Sequence, residues 1–203
     1  GLMTAIRYTA STTFTVPTGV SVIYLSMVSG GMAGTPGVSG TNVNGGAGGY
    51  GGGCCISVPF PCAAGNVISI FVGAGGIASA STLGTYGTLS YVSLSGRTMY
   101  SDNSRYTVSS TYTSYGYPPK TNYSPGGSAG QTVYGRTYAA YGTYSGGVPG
   151  GTGGGSSWIG TGGVGAAGNT TNVGGTAAAN SGGGGGGGGF RITDNTKGWG
   201  GNG

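Results

Sequence analysis

Ser181-Gly182-Gly183-Gly184-Gly185-Gly186-Gly187-Gly188-Gly189-Phe190 is the stretch on which the reading of this chain turns. Neither an α-helix nor an ordinary sheet favours such a segment, because each glycine loses more backbone entropy on ordering than any other residue and has no side chain to pack. It reads either as a flexible linker or as an extended polyproline-II-like strand, roughly 25 Å long at ~3 Å per residue. A strand of that kind makes no internal hydrogen bonds. Its N–H and C=O groups must stay in water or pair with similar strands alongside. Only glycine lets backbones approach that closely, so the second reading requires other glycine segments. They are present at Gly30–Gly34, Gly45–Gly53, Gly73–Gly76, Gly150–Gly155, Gly160–Gly163, Gly174–Gly175 and Gly198–Gly203. On the packed reading, Gly185→Val disrupts the protein; in a solvated linker it is silent.

Composition narrows the classes. The 203 residues include 53 glycines, and only 4% are charged, against about 25% in ordinary globular chains. Collagen is excluded, since no Gly-X-Y period runs through the chain and there are 8 prolines. Apolar residues make up 36%, enough for a small core. The net charge of +5 comes from scattered Lys and Arg; it is compatible with acidic partners and equally with simple solubility. No run is long enough for a transmembrane helix, so no membrane insertion is expected. Val20–Val28 alternates like a strand rather than reading as a signal segment.

The expected fold class is all-β and irregular: a small antiparallel β part plus packed polyglycine-II strands, with almost no α-helix. Residues 1–96 read as a β-strand and glycine-rich domain. Phe14-Thr15-Val16 ends at Pro17, and Val20–Ser29 carries apolar residues on both faces, predicting burial on both sides. Cys54–Val58 reads as a strand broken by Pro59 and Pro61. Val67–Val72 is the clearest strand, and Thr85–Leu94 one or two short ones. Residues 97–145 read as a Tyr-rich variable loop region holding most of the 15 tyrosines and too few aliphatics for a core. Residues 146–203 form a second glycine-rich, polyglycine-II region. There, Trp158-Ile159, Val164, Val173 and Phe190 are expected to anchor outer strands.

Chemistry has little to work with. The chain has no histidine, which excludes Ser–His and Cys–His catalysis. Asp102 and Asp194 have no sequence reason to meet. Gly73-Ala74-Gly75-Gly76 follows a strand but precedes no helix, so it is not a nucleotide loop. No enzyme activity, metal or cofactor is expected. Of Cys54, Cys55 and Cys62, one of the adjacent pair could bridge to Cys62 across the Pro59–Pro61 bend, or all three could be buried thiols.

Several landmarks occur in order: Phe14-Thr15-Val16-Pro17-Thr18-Gly19-Val20, a strand running into glycines, Val67–Gly76 as VISIFVGAGG, and Thr85–Gly96 as TYGTLSYVSLSG. This set resembles the glycine-rich domain of bacteriophage tail and tail-fibre proteins, over most of the chain except roughly 97–145. The resemblance implies a virion protein in the tail or a surface appendage, similar to polyglycine-II adhesins at the fibre tip. Its partners would be other virion subunits, including copies of itself, and a host outer-membrane protein or surface glycan. Two features depart from the family pattern: the Cys54-Cys55 pair, and the absence of an apolar strand after the last glycines.

The candidate receptor-binding surface is the Tyr-rich stretch, with Tyr106, Tyr112, Tyr115, Tyr117, Tyr123, Tyr134, Tyr138, Tyr141 and Tyr144 beside Arg105, Lys120 and Arg136. Tyrosine gives large contact area at low entropic cost, and the bases can pair with phosphates or carboxylates. The alternative is a non-adhesive structural or decoration subunit in which these tyrosines pack against neighbours. Single-stranded nucleic acid is a third reading, disfavoured because no Arg-Gly-Gly repeat occurs and Arg and Tyr do not share a periodic face.

Overall fold

A computed structural model describes residues 4–37, 45–79, 84–101, 132–133, 136–137, 150–151, 153–154 and 159–203. Among them are strands β1 (Thr12–Thr15), β2 (Val22–Val28), β3 (Cys54–Pro61), β4 (Val67–Phe71), β5 (Tyr91–Leu94), β6 (Arg97–Tyr100), β7 (Thr132–Val133), β8 (Arg136–Thr137), β9 (Phe190–Arg191) and β10 (Thr196–Lys197). All pairings are antiparallel, and the described residues contain no helix. One sheet has the order β1-β4-β5-β6, and β2 and β3 form a second. Ser95 and Gly96, both at positive φ (48° and 79°), make the two-residue turn between β5 and β6. That geometry matches the twist of a tight hairpin.

The two sheets share one core. Phe60 and Cys55 of β3 meet Ile68, Val92, Leu94 and Met99 of the larger sheet, with Val16 beyond the end of β1. Alternation decides which face of β2 joins them. Ile23, Leu25 and Met27 pack against the core, while Val22 and Tyr24 are exposed. The expectation that β2 is buried on both faces is therefore corrected: a two-stranded antiparallel sheet has one dry face and one wet one. Pro59 and Pro61 do not break β3 either; they pair with Tyr24 and Val22 inside it. With β2 its only partner among the described strands, β3 has a free edge, where a missing N–H costs no ladder bond. The irregularity lies at Ser26–Ser57, where the register shifts between Leu25 and Met27. Ser57 takes φ 51° and its N–H donates to Ser26 Oγ at 3.0 Å.

Beyond the sheets, the glycine segments run side by side as extended rods joined by hydrogen bonds between their backbones. The 29–37 rod shows their symmetry. Met32 and Thr35 donate to Tyr50 and Ala47, Gly30 and Ala33 to Thr88 and Thr85, and Gly34 and Gly37 to Gly201 and Gly198. Each direction recurs every third residue, as expected of a helix with three residues per turn. Direction along the rods also varies. The 182–189 rod runs parallel to 29–37 and 160–166, and antiparallel to 45–53, 172–177 and 198–203.

Gly182–Gly189 sits at the centre. It donates to Met32, Thr35, Asn172 and Gly175, and accepts from Gly46, Gly49, Gly52, Gly163, Ala166, Gly198 and Gly201. Gly151 and Gly154 close the remaining side, packed on the Gly187 and Gly184 carbonyls. Rods on every side leave no direction free for a side chain. The unbroken glycine run is thus the sequence of a fully enclosed rod. Outer rods carry a side chain at the third position that faces out: Ala47, Thr161, Val164, Val173, Thr176, Trp199 and Asn202 are all exposed.

Two expectations change here. Thr85–Thr88 is a rod of this lattice rather than a strand, hydrogen-bonded to 29–37 and 74–77. Val164 and Val173 project into solvent instead of anchoring their rods, and Ile159 is also exposed. Phe190, 1% exposed, is the residue that does anchor, closing the end of the central rod. Trp158 lies outside the described residues. Rods from both glycine-rich regions bond to one another, and β6 carries the larger sheet to Tyr100.

Candidate binding surfaces

The residues singled out for binding lie almost wholly outside the described part. That holds for Arg105, Tyr106, Tyr112, Tyr115, Tyr117, Lys120, Tyr123, Tyr134, Tyr138, Tyr141 and Tyr144; Arg136 belongs to β8, opposite Val133. What is described is how their stretch is tied to the frame. It leaves at Ser101, which is fully buried. The Ser101 and Ser29 hydroxyls bond to each other, Ser101 N–H donates to Ser90 C=O at 3.0 Å, and Ser90 Oγ donates to Val28 C=O at 2.6 Å. Ser29 is also where β2 becomes a rod, so three buried hydroxyls join the sheets, the lattice and the start of the stretch. Each hydroxyl is hydrogen-bonded, as burial demands.

The stretch returns at Gly150, buried against Gly45 at the opposite end of the lattice. The rod from Ser29 to Gly37 spans that interval, roughly 25 Å at ~3.1 Å per residue. The two anchors therefore sit at different heights on one frame. Beside the first anchor, Phe71, Tyr91 and Tyr100 form an aromatic ladder across β4, β5 and β6. Phe71 stacks on Tyr91 with centroids 4.3 Å apart, and Tyr91 meets Tyr100 at 5.3 Å.

No disulfide joins Cys54, Cys55 or Cys62. The prolines make no bend that brings them together, because β3 stays paired with β2 from Cys54 to Pro61 on both sides of the bulge at Ser57; Cys55 and Cys62 lie near its opposite ends. At ~3.3 Å per residue they are roughly 20 Å apart, far beyond the ~7 Å Cα limit of a disulfide. Burial pushes the Cys55 thiol above its ordinary pKa, partly offset by a backbone hydrogen bond from Met27. That favours an inert packing thiol over a nucleophile.

At the end of the lattice away from the sheets, β9 and β10 pair as a hairpin. Its Arg191 guanidinium grips Asp194, with Nε donating to Oδ1 at 3.0 Å, and Thr196 Oγ1 donates to the same oxygen at 2.6 Å. Together they hold the Asp194 carboxyl well below the usual carboxylate range, the Arg191 hydrogen bond being the largest cause. Ile192 N–H donates to Asn169 Oδ1 at 3.1 Å, fastening the hairpin to the neighbouring turn. Among the described residues, no group of three or more His, Cys, Asp or Glu side chains comes together.

Residue-type reasoning missed the outward face of the 160–166, 172–177 and 198–203 rods, where Val164, Val173 and Trp199 are 55%, 60% and 53% exposed. The signal was present as Thr161-Gly-Gly-Val164, Val173-Gly-Gly-Thr176 and Trp199-Gly-Gly-Asn202. A non-glycine residue every third position marks the solvent side of a three-fold rod.

A small two-sheet β unit continued by a lattice of backbone rods, with its larger side chains mostly outward and only small ones such as Ala33, Ala166 and Ala177, with Met32, buried between rods, defines a glycine-built rod module. In sequence, residues 7–203 match the family described as the glycine-rich domain, and the chain belongs to that family. Compared with proteins of curated function, it matches none.

Proposed function

We propose that this chain is a bacteriophage virion protein that works at a tail or fibre tip as an adhesin, binding the host surface through the Tyr-rich stretch. The observation that carries the reading is the anchoring of that stretch. It is held at Ser101 and Gly150 by buried contacts, at two heights of a frame whose backbones already satisfy one another. A frame of this kind loses little entropy when a ligand docks, which is the advantage of presenting contact loops on a rigid scaffold. The phage context comes from the ordered landmarks between Phe14 and Gly96. The receptor would be a host outer-membrane protein or a surface glycan.

A second reading, a non-adhesive structural subunit, draws on the wet face of the β2–β3 sheet. Val22, Tyr24 and Ile56 are exposed there beside Pro59 and Pro61, an apolar surface suited to another virion subunit. Adsorption separates the two. As an adhesin, the purified protein blocks adsorption of its phage, and exchanging residues 102–149 between related phages transfers host range. No blocking, together with particles that fail to assemble without the protein, assigns it to the structural role. Blocking with an unchanged host range removes the Tyr-rich stretch as the binding surface.

A further inference from the structure

We infer that the outer face of the 172–177 and 198–203 rods, centred on Trp199, is a binding platform for neutral saccharide, separate from the Tyr-rich stretch. Trp199 is 53% exposed although its backbone is held on both sides. Its carbonyl accepts from Gly174 N–H at 2.9 Å, and its neighbour Gly198 donates to Gly189 at 2.8 Å. Val173, 60% exposed, stands beside it on the adjoining rod. One turn further along, about 9 Å away, the next outward pair is Thr176 and Asn202, both exposed and joined by the Ala177 N–H to Asn202 C=O bond of 3.0 Å. The face thus presents an aromatic plane and a branched alkyl group, then the Thr176 hydroxyl and the Asn202 amide, whose Oδ1 already accepts from Ala78 N–H at 2.8 Å and whose Nδ2 is the group offered.

Charge selects the ligand. Residues 160–189 and 198–203 contain no Asp, Glu, Lys or Arg. Lys197, exposed two residues before Trp199, is a single cation at the edge of this face, where a phosphate, a sulfated glycan or a nucleic-acid strand needs a cluster. A neutral sugar matches it: the C–H face of a pyranose stacks on an indole, and its hydroxyls both donate to and accept from amide and hydroxyl groups. Lattice rigidity adds to the match, since the outward side chains are positioned before any ligand arrives. Addition of a further glycine rod is excluded by the same side chains, because a Cβ at each outward position prevents backbones from closing to lattice distance.

The test uses the full chain carrying Trp158→Phe, which leaves Trp199 as its single indole. It is titrated with maltoheptaose, chitotetraose and a neutral galacto-oligosaccharide, with dextran sulfate as the charged probe, reading Trp199 emission and saturation transfer to the sugar. Saturable binding of at least one neutral probe is expected. Trp199→Ala should weaken it by about tenfold or more and Trp199→Tyr should retain it. Exchange of residues 102–149 should leave it unchanged, so its fate is independent of the adsorption result. The inference is overturned if no neutral probe binds the folded protein, if Trp199→Ala binds as well as the parent, or if only dextran sulfate binds. Self-association that Trp199→Ala abolishes, with no sugar response, would assign the face to a second copy instead.

Discussion

Gly185 shows what a single residue contributes to a lattice of backbones. A Cβ built there would run into the Gly201 carbonyl, and the three nearest atoms are all main chain rather than a side chain that could swing away. Gly185→Ala therefore forces rods apart, and a cost of at least ~3 kcal/mol is expected, the upper range for overpacking. Thermal unfolding measures it directly. Val164→Ala is the matched control: the side chain is 55% exposed, and its loss should move stability by no more than ~0.5 kcal/mol. If Gly185→Ala melts like the parent protein, the central rod is not enclosed. Gly19 illustrates a different need for glycine, having open space around its missing Cβ but φ at +83°. There the constraint is the turn, and replacement costs backbone strain of ~1 kcal/mol rather than a clash.

At the scale of an element, the outer rods must deal with N–H groups that have no further rod to meet, and threonine does this in a repeated way. Thr88 N–H donates to Ala74 C=O at 2.9 Å, and Ala74 N–H donates back to Thr88 Oγ1 at 2.7 Å. Thr85 makes the same reciprocal pair with Ile77, and Thr35 with Ala47. Thr88→Val keeps the shape and removes the acceptor. It should cost ~1 kcal/mol and speed hydrogen exchange at Ala74, whereas Thr88→Ser should leave Ala74 protected. Equal exchange in both variants would show that the hydroxyl is not the partner. The β9–β10 hairpin makes a pH-dependent prediction. Asp194 is depressed in the folded state, so its contribution is complete above the ordinary carboxylate value of ~3.9 and is lost as pH falls through the lower folded value. A carboxyl titration by NMR should find its midpoint well below that of an unperturbed Asp. Asp194→Asn should loosen the hairpin at neutral pH without changing the global melting temperature, because the pair is exposed.

For the whole molecule, the sheets and the lattice are completed by described residues on either side of the Tyr-rich stretch. Replacing 102–149 with a polar linker long enough to cover the roughly 25 Å between its anchors should leave the cooperative unfolding transition in place. Loss of folding would mean that the stretch belongs to the core. Much of this architecture was legible beforehand. Val67–Phe71 was recognisable from its β-branched content, and the glycine segments from their need for one another. The wet face of β2, the continuity of β3 through its prolines and the rod character of Thr85–Thr88 were not. Each depends on what lies alongside: a second sheet under one face only, a free edge for the prolines, the 29–37 rod beside the threonines. The candidate binding residues were chosen by type, whereas Trp199 and Val173 emerge only from knowing which third of each rod faces outward.

By itself, the sequence determined that backbones would pack at distances only glycine permits, because a run such as Gly182–Gly189 can satisfy its peptide groups in no other ordered way. It also determined the period of the outer rods, through one side chain every three residues. Only the tertiary structure decided which rods are neighbours, in which direction each runs and which is enclosed. Polyglycine carries no side-chain code for its partners; the choice is made by the loops between rods, by the Ser29–Ser90–Ser101 junction and by Phe190 at the end of the central rod.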